Sequence, residues 1–174
     1  IEVHIPYINI DNEVVKKYNQ KIEEIFANKA RNILGSENKN IIYNVEYVAN
    51  IYDGILSVMV KSNLKEGSNA QKVVVQTYNY DLRNNKEITI DEMLKIKGMD
   101  KQLVQNKIND EISEEEKKVD DLKNLGYNIY TRDTSSNMYD LENASEFYVT
   151  EDTLYIIYAY GNQTSTSEMD LVIL

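Results

Sequence analysis

The residue types that carry most enzyme chemistry are scarce in this chain. It has one histidine, His4, and no cysteine among 174 residues. Without thiols there is no Cys-based zinc site, redox pair, disulfide framework or Cys–His nucleophile. A Ser–His–Asp triad would have to use His4, which sits in an expected strand near the first residue. No serine stands in a Gly-x-Ser-x-Gly turn, and no glycine-rich phosphate loop occurs. Carboxylates are plentiful: Asp plus Glu is 29 against 19 Lys plus Arg, a formal charge of −10. Two carboxylates at the right separation can hydrolyse a glycosidic bond, but spacing in sequence does not choose a pair among so many. The cluster Asp110, Glu111, Glu114, Glu115, Glu116, Asp120 and Asp121 lacks the alternating acids and central glycine of a calcium loop, so it reads as a solvated helix face. The chain is therefore expected not to be an enzyme and to carry no cofactor or catalytic residue.

What remains is binding. The chain holds 14 Tyr against 2 Phe. Tyrosine suits half-buried strand positions, and it also supplies rigid contact area with a polar tip. Tyr158 and Tyr160 lead into a polar loop, so the expected ligand-binding set is Tyr158, Tyr160, Asn162, Thr164, Ser165 and Glu168. Three arginines and an excess of acid argue against nucleic acid, whose phosphates need Lys and Arg. The same charge would steer a basic partner inward and repel an anionic membrane.

The elements that must position these groups follow from periodicity. Glu2 to Ile10 reads as a strand with Pro6 at an edge or end. Asp11 and Asn12 cap a helix from Glu13 to Leu34, whose apolar face is Val15, Tyr18, Ile22, Ile25, Phe26 and Ile33. A left-handed Gly35 is expected to end it. Strands follow at Asn40 to Tyr52 and Ile55 to Asn63, joined by Asp53-Gly54, a type I′ hairpin signal. Leu64 to Ala70 reads as a loop and Lys72 to Leu82 as a third strand, with Val73, Val75 and Thr77 opposite Val74, Gln76, Tyr78 and Tyr80. Thr89-Ile90-Asp91-Glu92 fits a capping box for a short helix ending near Gly98. A longer helix opens at Asp100 along Leu103, Val104, Ile108, Ile112, Val119, Leu122 and Leu125, with a break or restart expected at Ser113 to Glu116. Asn128 to Asp140 is irregular and polar. Glu146 to Thr150 and Thr153 to Tyr160 form a second hairpin, and Glu168 to Leu174 is a last short strand. The order predicts an α+β fold with a largely antiparallel sheet and helices on one face. A single domain over residues 1–174 is expected, with halves 1–70 and 71–174 closely packed. A chain of this length buries about 70% of its unfolded surface.

Three segments together resemble a known family. They are Ile5-Pro6-Tyr7-Ile8 with the helix that follows it, the strand Val75 to Leu82 with Ile88-Thr89-Ile90-Asp91-Glu92-Met93-Leu94, and Glu146 to Thr150 with Leu154 to Tyr158. In that order they resemble the paired domains of unknown function in exported bacterial proteins. Those domains form the extracytoplasmic part of lysozyme-responsive anti-sigma-V factors and the N-terminal module of some peptidoglycan deacetylases. The resemblance implies a non-catalytic extracytoplasmic domain, secreted or anchored to the outer face of the membrane. Its partner would be a basic protein such as lysozyme, or peptidoglycan. The first residue is Ile1 rather than Met, so any membrane attachment is expected through an anchor upstream of this sequence.

Overall fold

The computed structural model describes residues 1–38, 40–160 and 168–174. It shows an α+β fold built on two sheets, one of five strands lying side by side in chain order and one of three. All strand pairs are antiparallel except the first two strands of the longer sheet.

The first strand is much shorter than its apolar alternation suggests: β1 is Glu2–Val3 only. Beyond Pro6 the chain uses a side chain in place of a partner strand. The Asn19 amide accepts from Ile8 N–H and donates to Ile8 C=O, each at 2.9 Å. Helix α1, Glu13–Ile22, starts where Asn12 accepts from Val14 N–H at 2.8 Å. The buried residues Val15, Tyr18, Ile22, Phe26, Ala30 and Ile33 then follow at spacings of three, four, four, four and three. Successive spacings of four outrun a 3.6-residue turn, and a π-wound segment, Glu23–Ala27, absorbs the excess before α2, Asn28–Leu34. Its signature is Asn28 N–H donating to Glu23 C=O, five residues back. Gly35 stays right-handed at φ −80°, contrary to the sequence reading, and a tight Ser36-to-Ile33 bond of 3.1 Å closes the helix instead.

Strands β2, Ile41–Tyr52, and β3, Ile55–Glu66, join through Asp53 and Gly54, whose φ values of 46° and 76° make the expected type I′ turn. The register set there carries on to Ile41 opposite Glu66. Residues 64–66, read from sequence as loop, are therefore strand, and Leu64 is buried opposite Tyr43. β4, Lys72–Asp81, completes the long sheet, and β5, Lys86–Glu87, adds two residues to its edge. Tyr43, Val45, Val58, Val60, Tyr78 and Tyr80 pack against α1 and α2 as one core.

Helix α3, Ile90–Lys97, has the full capping box, with Glu92 N–H donating to Thr89 Oγ1 at 3.3 Å and Thr89 N–H donating to Glu92 Oε2 at 3.0 Å. Gly98 ends it in the left-handed region. Helix α4, Lys101–Asn124, runs through Ser113 to Glu116 without the expected break. Val104, Ile108, Ile112 and Val119 are buried along it, whereas Leu103 and Leu125 face solvent. The helix needs only a narrow apolar stripe because one side of it rests on the second sheet: β6, Phe147–Val149, β7, Leu154–Tyr160, and β8, Glu168–Ile173.

The two sheets meet along a row of side chains. Alternate residues of β6 bond β7, which leaves the N–H and C=O of Phe147 and Val149 facing the long sheet. Four side chains receive them. Phe147 N–H donates to Thr77 Oγ1 at 3.1 Å and Val149 N–H donates to Ser57 Oγ at 3.1 Å. Asn79 Nδ2 donates to Phe147 C=O at 2.9 Å and Asn50 Nδ2 donates to Val149 C=O at 3.3 Å. Ser57 Oγ in turn donates to Asn79 Oδ1 at 2.6 Å. Glu146 extends the row by accepting from both the N–H and the hydroxyl of Thr77.

Candidate functional site

The expected site residues divide three ways. Asn162, Thr164 and Ser165 lie outside the described residues. Tyr158 and Tyr160 are interior, 5% and 9% exposed, so these two rings are not the open aromatic platform that the sequence suggested. Glu168 is half-buried at the start of β8.

What Tyr160 and Glu168 surround is Arg132, whose side chain is 1% exposed. Arg132 Nε donates to Asp170 Oδ2 at 2.7 Å and to the Tyr160 hydroxyl at 2.6 Å. Its Nη2 donates to Asp170 Oδ1 at 2.7 Å and to Glu168 Oε2 at 3.3 Å. Burial opposes the guanidinium charge, but the bonds and the charge of Asp170, with Glu168 behind it, outweigh that and raise its pKa. The Arg132 N–H is held by Glu116 of α4 at 2.7 Å, so this arginine ties the irregular segment after α4 to both the helix and β8. Tyr130 stacks on Tyr160 at 4.6 Å, and Tyr139 meets Tyr158 edge-on at 5.1 Å. Burial pushes the Tyr139 hydroxyl up to about 12, with the Asp170 charge adding to it. Arg132 Nη1 and the hydroxyls of Tyr139 and Tyr158 are buried with no hydrogen-bond partner among the described residues.

In front of Tyr139 lies a cleft of about 740 Å³ between α4 and the strap of residues 134–142. Gln105 staples the strap in place. Its Nε2 donates to Tyr139 C=O at 3.0 Å, and its Oε1 accepts from Leu141 N–H at 2.7 Å. Gln102, Gln105, Asn109 and Ser113 line the helix wall at spacings of three, four and four, one polar stripe of the helix. Thr134, Ser135 and Ser136 line the other wall. Asp91, Asp140 and Glu142 supply negative charge, and the lining's cation, Lys101, is held by Asp91 at 2.5 Å. The chemistry on offer is hydrogen bonding from neutral amides and hydroxyls beside a carboxylate rim. Two smaller hollows, of about 290 and 260 Å³, flank Glu146 and Ala144 along the sheet seam.

Other expected or missed features are placed as follows. His4 is exposed and faces Glu2 at 3.2 Å. Among the described residues, no group of three His, Asp or Glu side chains is disposed to hold a metal ion, and no helix is long and apolar enough to cross a membrane. The sequence reading missed Arg132 and the cleft. The polar stripe 102–105–109–113 was the available signal for the cleft, since it interrupts a helix otherwise charged on its outer side.

No family model matches the chain. No curated protein matches it. Among solved structures, a crystal structure of a member of the DUF3298 family from Bacteroides fragilis is similar, with 16% sequence identity and a TM-score of 0.44. The match covers 91% of this chain and 61% of that one, so the chain spans less than two thirds of that neighbour's length.

Proposed function

We propose that this chain is a non-catalytic binding and sensing domain that works outside the cytoplasm, as the ligand-sensing part of a membrane-anchored anti-sigma factor does, and that it takes a basic protein such as lysozyme. The observation that supports this best is the charge around the cleft. Asp91, Asp140 and Glu142 line it together with one lysine, Lys101, which Asp91 already holds. Asp110 and Glu114 are exposed on the adjoining turns of α4, and the whole chain carries −10. An acidic rim of this kind speeds the encounter with a cationic surface and orients it, and the effect fades with salt. Isothermal titration with lysozyme at low and high salt tests the proposal. The expected result is binding that weakens as salt rises, and weakens further in Asp140→Asn/Glu142→Gln. No heat at either salt would refute it.

A second reading has its own support. The walls of the cleft, Gln102, Asn109, Ser113 and Thr134, are neutral hydrogen-bonding groups of the sort that match sugar hydroxyls and acetamides. In this reading the chain is an accessory module that seats a peptidoglycan-modifying enzyme on its substrate. Retention on purified peptidoglycan, insensitive to salt and lost in Asn109→Ala, separates it from the first.

A further inference from the structure

The two long edges of the five-stranded sheet are finished differently. At β4 the Glu146 carboxylate takes the Thr77 N–H, the Gln76 amide donates to Val75 C=O at 2.9 Å, and β5 pairs with Tyr80 and Asp81. At β2 the covering strand is β1, which reaches only as far as Val3 opposite Val45. The ladder ends after His4, and residue 6 keeps it from resuming. His4 N–H donates to Val45 C=O at 2.9 Å; the following rungs of a parallel ladder would be Tyr47 N–H to His4 C=O and then residue 6 N–H to Tyr47 C=O. Residue 6 is Pro6, which has no N–H. From Tyr47 to Tyr52 the outer edge of β2 has no partner among the described residues.

The turn determines which groups are open. A two-residue type I′ turn makes Tyr52 and Ile55 a pair that exchanges both bonds, so the even-numbered residues of β2 bond β3. The odd-numbered Tyr47, Ala49 and Ile51 aim their N–H and C=O outward, in agreement with the outward bond at Val45. Among the described residues no strand, charge or proline blunts this edge. Residues 47–52 contain no charge and no proline, in a chain that is 28% charged, and Tyr47, Val48 and Ile51 are exposed there. An open, uncharged, apolar edge is a template for another strand.

We propose that this edge pairs antiparallel with the same edge of a second copy of the chain, about a twofold axis at Ala49. Ala49 is the middle one of the three outward-facing residues Tyr47, Ala49 and Ile51. In that register Tyr47 opposes the partner's Ile51, an aromatic against a β-branched side chain, which is a favourable cross-strand pair. Glu46 opposes the partner's Tyr52, so no like charges meet across the axis. The net charge of −10 on each copy resists the approach, and salt screens that resistance. Self-pairing therefore strengthens with salt, the reverse of the charge-steered binding proposed at the cleft, and the two fail independently.

Sedimentation equilibrium from micromolar to millimolar protein, at low and physiological salt, reads the association directly. The wild type is expected to move toward twice the monomer mass, more so at higher salt, with the amides of Ala49 and Ile51 becoming protected from hydrogen exchange as the mass rises. Ala49→Pro removes an outward N–H and no bond to β3, and Ile51→Lys places a charge on the edge. Each should weaken association at least about tenfold while far-UV circular dichroism stays that of the wild type. A wild type that is monomeric at millimolar concentration, a dimer whose Ala49 and Ile51 amides exchange freely, or a dimer unaffected by either variant overturns the proposal. So does a wild-type monomer that pairs at this edge only with an unrelated extended peptide.

Discussion

Replacing Asp170 with alanine takes both oxygens of a bidentate pair away from a guanidinium that has no route to water. In the native fold Asp170 accepts from Arg132 twice at 2.7 Å, and the two side chains are 1% and 4% exposed. Removing one member of a buried pair costs about 3–5 kcal/mol, because the other charge is left uncompensated. Glu168 at 3.3 Å and the Tyr160 hydroxyl at 2.6 Å stay in place, which puts Asp170→Ala at the lower end, about 3 kcal/mol. At this chain length about 1 kcal/mol moves the melting midpoint by about 2–4 °C, so the fall should be about 6–12 °C. Arg83 and Asp53 form an arginine–aspartate pair through one bond of 2.6 Å, but in solvent. Arg83→Ala should cost less than about 1 kcal/mol, because exposed pairs gain little over their hydration. Urea unfolding followed by far-UV circular dichroism, with a thermal melt beside it, gives both values. The double variant Arg132→Met/Asp170→Leu completes the comparison and should recover most of the loss, since apolar side chains of similar volume replace buried pairs at little cost. If Asp170→Ala and Arg83→Ala cost the same, burial is not what makes the pair matter and the reasoning is refuted.

Two further outcomes follow from the seam between the sheets. Asn79→Ala removes the donor to Phe147 C=O and the acceptor of the Ser57 hydroxyl, both buried, and should cost about 2–6 kcal/mol by urea unfolding, counting about 1–3 for each orphaned group; a loss below about 1 kcal/mol would mean that the seam is not closed as described. Glu146 has its pKa raised by burial, against the pull of the Thr77 donors, so its ionised form weakens the fold: that penalty is absent below the ordinary carboxylate range and grows as pH rises through the raised value. Glu146→Gln should therefore gain on the wild type as pH rises from about 4 to about 7, and melts that keep a constant gap across that range would contradict the assigned cause.

The parts of the fold that were legible in the sequence are those fixed by neighbours along the chain. Asp53-Gly54 carries its own turn geometry, and Thr89 and Glu92 need only each other to form the capping box. The opposite rows of β4 follow from its alternation, with Val75 and Thr77 turned to the second sheet and Tyr78 and Tyr80 to the helices. The errors occurred where distant residues decide. β3 runs on to Glu66 because β2 supplies partners as far as Ile41. α4 ignores the capping signal at Ser113 because Ile112 before it and Val119 after it are both buried on the same helix. Arg132 looked like one charge in a polar loop, since its partner Asp170 stands 38 residues away and nothing local shows that either is buried. Nearness to a polar loop suggests a surface place for Tyr158 and Tyr160, whereas strand pairing and Arg132 draw them inside.

The row of side chains that receives β6 also works as an alignment code. A backbone ladder repeats every two residues, so a strand that slides by two finds equivalent partners again. Here the receiving groups are few and ordered: hydroxyl acceptors at Thr77 and Ser57 alternate with amide donors at Asn79 and Asn50, matched to two N–H and two C=O groups. A slide of two residues leaves half of that set facing nothing, at a cost of about 1–3 kcal/mol for each buried group left over. The two halves of the molecule thus recognise a single mutual setting, chosen by four side chains from three strands rather than by the strand they hold.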